Sequence, residues 1–320
     1  MNRFISNFAM KLDDSIKYRA ARGYNSDTHL PCLMKFDRFC AANFQHETQL
    51  TQKIVHEWLD AESETVRYIT GRAIAIRQFG KYLCAVDEDA YVLPDKYAPS
   101  KHAFSPYIFT NKEISALFAA IDELPPSRNE PFFGEIAPVL FRLIYTCGLR
   151  PNEGRELLTE NINLRTGEVL ISHTKHNKER VVVLSDDMLT LVRDYDARRS
   201  VFGNGNVYFF PSQSGGALSS DRIYSALNKA WTAATVTPQS PVRRAIRVYD
   251  LRHQFASACL QRWLDNGENL MNMLPYMQAY MGHGQLSHTA YYIHVLPENL
   301  LNSAAIDWDV FNAMFPEVAQ

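Results

Sequence analysis

Three short segments of the chain carry side chains that together could act on a phosphate group. They read CGLRPNEGREL, YDLRHQFAS and MGHGQLSHTAYYIHV, and they supply Arg150, Arg252, His283 and Tyr292. Arginine presents a planar, permanently charged fork of donors that matches phosphate oxygens. A tyrosine hydroxyl can attack phosphorus and form a covalent intermediate. Each segment alone is a weak signal, because such turns are common, but their order and spacing make the combination specific.

Taken together, the segments resemble the catalytic domain of the tyrosine recombinase (phage integrase) family. The family pattern has GLRxxE, a lysine on a β-hairpin, HxLRH, LGH, and a tyrosine nine residues after that last histidine, where this chain has Tyr292 after His283. The resemblance runs from about Phe109 to Val295, and residues 1–104 resemble the family's helical core-binding domain more generically. It implies a site-specific DNA recombinase or integrase that works through a 3′-phosphotyrosine intermediate.

The resemblance assigns roles to individual residues. The implied catalytic residues, in chain order, are Arg150, Lys175, Tyr249, Arg252, His283 and Tyr292. Lys175 in TKHNKER matches the first lysine of the family's GKGxKxR hairpin, and Lys178 is the alternative. Glu153 matches the acid of GLRxxE, an implied partner of Arg150, whereas Tyr291 falls where the family usually has an apolar residue.

These residue types suit the cleavage of a phosphodiester. Two arginines can stabilise charge on the non-bridging oxygens, and a lysine can protonate the leaving 5′-oxygen. A covalent phosphotyrosine keeps the energy of the broken bond, so the strand can be rejoined without ATP. With arginines supplying the charge that a metal ion would otherwise provide, we expect no metal and no cofactor.

One position departs from the family pattern. Tyr249 stands three residues before Arg252, where the family usually has a histidine that helps as a proton acceptor. A tyrosine can donate a hydrogen bond to a phosphate oxygen, but its ordinary pKa of about 10 makes it a poor base. His253, which follows Arg252, is a neighbour whose ring could lie elsewhere. The residue that serves as general base is therefore open.

The elements that must position these residues are mostly helices. Apolar residues at helical spacing predict helices through most of residues 1–104, with Thr51 as an N-cap, and again after a T-x-x-E capping box at Thr110. Gly148 and Pro151 predict a sharp helix-to-helix corner that holds Arg150. EVLISHT and RVVVLS predict a β-hairpin, and VYFFP a further short strand.

Composition sets the broad class. With 320 residues, 46% of them apolar, the chain is long enough for two domains. We predict a mostly α protein with a small β-sheet, divided into a helical core-type DNA-binding domain at 1–104 and an α+β catalytic domain at 105–320. The five cysteines form no CxxC pair, which favours free thiols in a reducing cytoplasm. No apolar stretch is long enough to span a membrane, and we expect a cytoplasmic protein of bacterial or mobile-element context.

The net charge of −2 does not by itself indicate a DNA-binding protein. By charge alone, a cluster of arginines is more often a solvent-exposed surface than a phosphate-binding site. The family resemblance, however, implies that two domains form a C-shaped clamp around DNA. The predicted DNA-contacting residues are Arg67, Arg72, Arg77, Lys81, Arg243, Arg244 and Arg247. The partners implied are double-stranded DNA with inverted-repeat half-sites and further copies of the chain, as a tetramer.

Two alternative functions use the same residues. A topoisomerase of the tyrosine class would relax supercoils by similar chemistry without pairing two sites. A catalytically silent DNA-binding regulator derived from a recombinase is supported by Tyr249 alone. At the end of the chain, an apolar surface at roughly helical spacing is formed by Trp308, Val310, Phe311, Met314 and Phe315. Such a helix could pack on its own catalytic domain, whereas the resemblance suggests that it docks onto a neighbouring protomer.

Overall fold

The computed structural model describes most of the chain. The described residues are 3–24, 28–61, 66–97, 106–126, 132–172, 179–202, 205–234 and 245–295. By its internal contacts the chain divides into two compact units, Met1–Phe104 and Ser105–Gln320. The predicted C-terminal docking helix lies outside the described residues.

The first unit is helical. Its helices are α1 (Ala9–Ala21), α2 (Leu30–Asn43), α3 (Gln52–Asp60) and α4 (Val66–Ala85), followed by a 3₁₀ turn at Asp95–Tyr97. The predicted N-cap at Thr51 is confirmed, because its side chain accepts a hydrogen bond from the Ile54 amide. Phe8, Phe36, Trp58 and Phe79 meet edge to face or tilted in one buried cluster, so the apolar stripes of these helices share one core.

Two of the predicted DNA-contacting residues in α4, Arg72 and Arg77, are buried, at 2% and 8% exposed, so their side chains do not lie on the surface where DNA would contact them. Arg72 donates to the carbonyl of Trp58, and its guanidinium lies 4.3 Å from the centroid of the Trp58 ring. Arg77 donates to the carbonyls of Leu93 and Pro94 at 2.8 and 2.7 Å. Both guanidiniums are therefore engaged inside the unit, whereas Lys81 is exposed. Arg67 lies within α4.

The second unit is mostly helical around a small sheet. Its helices are α5 (Asn111–Asp122), α6 (Phe133–Thr146), α7 (Pro151–Arg155), α8 (Asp186–Phe202), α9 (Ser220–Ala233), α10 (Val248–Asp265), α11 (Leu270–Met281) and α12 (Ser287–Ala290), and its strands are β1 (Glu168–Ile171) and β2 (Arg180–Val183). 3₁₀ turns lie at Thr159–Asn161 and Tyr291–Val295. The predicted mostly α fold with a small sheet is confirmed.

The predicted hairpin and capping box are both present. β1 and β2 pair antiparallel, with Glu168 opposite Val183 and Ile171 opposite Arg180. Thr110 and Glu113 form the reciprocal capping box of α5. The VYFFP stretch, however, is not a strand, because the described residues around it make only isolated bridges such as Leu158 with Tyr208.

The core of this unit is built around α6, which is buried along most of its length. A second apolar cluster joins α10, α11, α12 and the turn Tyr291–Val295. Tyr292 belongs to this second cluster, so the C-terminal turn is held by packing against α10. Among the described residues, no helix has the length and apolar character needed to cross a membrane.

Candidate active site

The first part of the site is the corner between α6 and α7. Gly148 ends α6 with a left-handed φ of 59°, and a Cβ at this position would lie 2.4 Å from the Phe255 ring. Arg150 is the N-cap residue of α7, with Pro151 at the first helical position. The glycine and the proline predict this sharp corner. Arg150 there points toward the end of α11, where its Nη2 donates to the carbonyl of Gly282 at 2.7 Å.

A buried carboxylate, Glu153, organises two arginines. It accepts from the Arg150 amide at 2.8 Å and from Arg150 Nη1 at 2.6 Å. Arg180 at the start of β2 makes a two-pronged contact with the same carboxylate, at 3.0 and 2.7 Å. Burial alone would raise the Glu153 pKa, but the hydrogen bonds and charges of Arg180 and Arg150 outweigh it and lower the pKa to about 2. Glu153 is therefore a carboxylate at any physiological pH.

Arg252 lies at the centre of the site and is completely buried. Its Nη1 donates to the carbonyl of Gly148 at 2.6 Å, and its Nη2 donates to the carbonyl of Met281 at 2.7 Å. Among the ion pairs of the described residues, the nearest carboxylate oxygen to Arg252 is Glu153 Oε2, which lies 3.9 Å from Nη1. The Arg252 Nε has no hydrogen-bond partner among the described residues. A buried guanidinium in this setting is incompletely compensated, which favours an anion beside it.

His283 is held as a neutral ring of defined tautomer. Its Nε2 lies 3.0 Å from Arg252 Nη2, and its Nδ1 lies 2.8 Å from Thr289 Oγ1. Because a guanidinium only donates hydrogen bonds, Nε2 is the acceptor and the ring proton sits on Nδ1, facing Thr289. Burial and the charges of Arg252 and Arg150 lower the His283 pKa to about 3.

Tyr292 is the buried member of a tyrosine pair. It is 2% exposed, whereas the neighbouring Tyr291 is 37% exposed. Its ring stacks on His283, with centroids 6.0 Å apart and an interplanar angle of 16°. On another side lies the His253 ring, with centroids 5.4 Å apart. Burial raises the Tyr292 pKa to about 12, although the charge of Arg252 acts against the rise.

Tyr249, which stands where the family usually has a histidine, faces the same cluster from α10. Its ring centroid lies 5.1 Å from that of His253, one helical turn further along, and the Arg252 guanidinium lies 6.0 Å from the Tyr249 centroid. The ring is partly buried. The His253 ring therefore contacts both Tyr249 and Tyr292.

The structure thus brings most of the predicted site residues together. Arg150, Glu153, Arg252, His283 and Tyr292 lie around one point, although they come from four separate elements. The predicted residues Lys175, Lys178, Arg243 and Arg244 lie outside the described part of the chain. Arg247 is the N-cap residue of α10, and its side chain, 40% exposed, forms an ion pair with Asp250.

Sequence reasoning missed Arg180. The signal was available, because the hairpin pattern that identified Lys175 ends in an arginine, and Arg180 stands at that place in TKHNKER. With Arg150 and Arg252 it gives three guanidiniums around the single carboxylate of Glu153 in the described part of the site. In the same part of the chain, no three His, Cys, Asp or Glu side chains are grouped so that they could hold a metal ion.

Comparisons with known proteins agree with this geometry. Residues 108–299 match the sequence profile of the phage integrase family. The chain is 25% identical over 308 residues to y4rB of Sinorhizobium fredii, provisionally named an integrase/recombinase, covering 92% of this chain and 95% of that one. It is 28% identical to the tyrosine recombinase XerD of Rhizobium meliloti over 235 residues, which cover 72% and 70% of the two chains.

A solved structure shares the fold. The XerH site-specific recombinase, in a post-cleavage complex with its palindromic difH substrate, superposes with a TM-score of 0.64 and 21% identity, covering 89% of this chain and 80% of that chain. The family match spans more than half of the chain and includes every residue placed around Tyr292. The chain therefore belongs to the phage integrase family, the family of the tyrosine recombinases.

Proposed function

We propose that this protein is a site-specific recombinase that cuts and rejoins duplex DNA through a 3′-phosphotyrosine at Tyr292. The observation that carries the proposal is the buried tyrosine beside His283 and Arg252, in a site where three guanidiniums surround one carboxylate. Such a site has an excess of positive charge, and a phosphodiester group would supply the missing negative charge. The names of the relatives, tyrosine recombinase and integrase/recombinase, support the same reaction.

Each residue has a part in the proposed reaction. Arg150 and Arg252 bind the non-bridging oxygens of the scissile phosphate, for which Arg252 has its Nε donor available. Glu153 holds Arg150 and Arg180 in position. Tyr292 attacks phosphorus, and the leaving 5′-oxygen takes a proton from the hairpin lysine, Lys175 or Lys178.

Recombination joins two duplexes and cuts both strands of each, so four nucleophiles are required. We propose that the working unit is a homo-tetramer on DNA whose half-sites are inverted repeats, and that the protein acts in the cytoplasm. Arg67 and Lys81 of the first unit and Arg247 of the second stay proposed DNA contacts, as do Arg243 and Arg244, which lie outside the described residues. Arg72 and Arg77 are withdrawn from that role because they are buried. Affinity will fall as salt rises, since phosphate contacts release counterions.

The proposal predicts cleavage without metal or ATP. Nicked duplexes that tile the DNA flanking the gene, and that include its inverted repeats, are incubated with the protein in the presence of EDTA and without nucleotide. We expect a covalent protein–DNA adduct on a subset of the duplexes, at the same rate as with added Mg²⁺. The nick lets the cleaved end diffuse away, so that the adduct accumulates. An adduct that forms only with a divalent ion would contradict this part of the proposal.

The adduct experiment and a plasmid assay together separate the two alternatives. A silent DNA-binding regulator would bind the duplexes and form no adduct. A topoisomerase would form the adduct and relax supercoiled plasmids, but would give no recombinant product from plasmids that carry two copies of the selected site.

Substitutions of Tyr249 test what the tyrosine does at the position where the family usually has a histidine. Because Phe keeps the ring contact with His253 and loses only the hydroxyl group, Tyr249→Phe should slow adduct formation by about tenfold or less, as for the loss of one hydrogen bond of about 0.5–1.5 kcal/mol. Tyr249→His should be tolerated. Both rates are read together with the melting temperature of each variant. If the two substitutions lower the melting temperature but leave the rate unchanged, Tyr249 is a packing residue only.

A further inference from the structure

Tyr292 must lose a proton before or during its attack on phosphorus. Its pKa of about 12 leaves about one molecule in 10⁵ ionised at neutral pH. A reaction that relied on this fraction would be slowed by about the same factor. A base beside the tyrosine would remove the penalty, so the rings around Tyr292 can be compared as proton acceptors.

Four of the five neighbours are poor acceptors. Arg252 is permanently protonated. Tyr249 and Tyr291 offer only phenol oxygens, which are weakly basic. His283 has a hydrogen bond at each ring nitrogen, since Nε2 faces Arg252 Nη2 and Nδ1 faces Thr289 Oγ1. Protonating His283 at Nε2 would also break its contact with Arg252.

His253 is the neighbour with a nitrogen available. Its Nδ1 is buried and has no hydrogen-bond partner among the described residues. Buried polar atoms of this kind are uncommon and call for an explanation. The ring lies in contact range of Tyr292 and of Tyr249. Burial and the charges of Arg247 and Arg252 lower the His253 pKa to about 4, so the ring is neutral and able to accept a proton at neutral pH.

We propose that His253 accepts the proton of Tyr292, an inference that rests on the function proposed above. As the bond between Tyr292 Oη and phosphorus forms, the hydroxyl proton passes to His253 Nδ1, directly or through one water molecule. The bond from phosphorus to the 5′-oxygen breaks, and that oxygen takes a proton from the hairpin lysine. In rejoining, the 5′-hydroxyl returns its proton to the lysine, and His253 returns the other proton to the tyrosine oxygen.

The surrounding charges fit this role only when DNA is bound. An imidazolium at position 253 would face Arg252 of its own helix and Arg247 at the N-cap of that helix, with the rings of Tyr249 and Tyr292 as its other neighbours. Without DNA this repulsion keeps the ring neutral. The scissile phosphate brings negative charge next to Arg252 and so makes the protonated ring less unfavourable. The base is therefore strongest when the substrate is in place.

The test measures single-turnover adduct formation between pH 5.5 and 9 for the wild type and His253→Gln, which lacks a titratable nitrogen. The substrate is a duplex selected by adduct formation with the wild type, with sulfur in place of the bridging 5′-oxygen at the cut. A sulfur leaving group needs no proton from the lysine, so the profile reports the base alone. His288→Gln is the matched control, because His288 is exposed and its ring faces His283 rather than Tyr292.

We expect nearly flat profiles for the wild type and for His288→Gln. His253→Gln should be slower by about 10² to 10⁴ at pH 7, and its rate should rise about tenfold per pH unit because it then depends on ionised Tyr292. A flat profile for His253→Gln, at any rate, overturns the inference. A purely structural role for His253 would lower the rate without changing the slope.

A second variant keeps the test valid if His253→Gln fails to fold. His253→Ala leaves a space beside Tyr292 that imidazole can enter, and its rate should rise with imidazole concentration while the wild-type rate does not. Failure of imidazole to restore folded His253→Ala would count against the inference. A wild type that forms no adduct with any duplex contradicts the proposed function itself, whereas a cleaving wild type with an unchanged His253→Gln profile contradicts His253 alone.

Discussion

Tyr292→Phe will bind DNA and form no covalent adduct. The substitution removes a single oxygen and keeps the ring that stacks on His283 and contacts His253. We therefore expect the fold and the binding curve to stay close to those of the wild type. Adduct formation should fall below detection, because no other hydroxyl group is placed between the two histidines in the described part of the site. The measurement is denaturing electrophoresis of the protein with a labelled nicked duplex.

Tyr291→Phe is the matched control. Tyr291 is adjacent in the chain and carries the same hydroxyl group, but it is much more exposed. Its variant should form the adduct at a rate within about threefold of the wild type, since exposed substitutions away from the site have small effects. If Tyr292→Phe still forms the adduct, or if only Tyr291→Phe loses it, the assignment of Tyr292 as the nucleophile is wrong and Tyr291 takes its place.

Arg252→Ala should have the second largest effect, on both cleavage and stability. The substitution removes donors from the carbonyls of Gly148 and Met281 and from His283 Nε2, so three parts of the site lose their common partner. Hydrogen bonds to a charged group contribute about 1.5–3 kcal/mol each, and we expect a melting temperature lower by about 10 °C or more. Cleavage should fall by about 10² to 10³, as for the loss of a donor that stabilises the transition state.

Arg252→Lys and Arg150→Ala separate these two effects. A lysine keeps the positive charge at position 252 but has one nitrogen, so it cannot reach all three acceptors at once. Its cleavage rate should stay well below that of the wild type. Arg150 is partly exposed and bonded mainly to Glu153 and Gly282, so Arg150→Ala should lower the cleavage rate with a smaller loss of melting temperature. Wild-type cleavage by either variant would exclude the arginine as a phosphate ligand.

The local elements could be predicted because their signals are local. Gly148 and Pro151 require a stop and a restart of helix whatever surrounds them, and the T-x-x-E pattern at Thr110 forms its own capping box. The assignment of Arg252, His283 and Tyr292 to one catalytic site rests on the family resemblance. The VYFFP stretch predicts a strand incorrectly because its aromatic residues suit both a strand and a buried irregular segment.

What the sequence could not show depends on partners that are distant in the chain. Arg72 and Arg77 look like surface charges by helical spacing, but the carbonyls that accept from them belong to Trp58 and to residues 93–94. The pairing of Arg180 with Glu153 spans 27 residues. The position of the His253 ring between Tyr249 and Tyr292 likewise depends on how the C-terminal turn lies against α10, which no local pattern specifies.

The most direct test is to identify the amino acid that is joined to DNA. The wild-type adduct is digested with nuclease and with a protease that cuts at acidic residues, and the nucleotide-bearing peptide is fragmented in a mass spectrometer. Fragment ions from a break of the peptide bond between Tyr291 and Tyr292 show which of the two side chains carries the nucleotide. We predict that a 3′-phosphate is attached to Tyr292 and that the other DNA end carries a free 5′-hydroxyl. Attachment to any other residue, or through a 5′-phosphate, would contradict the account.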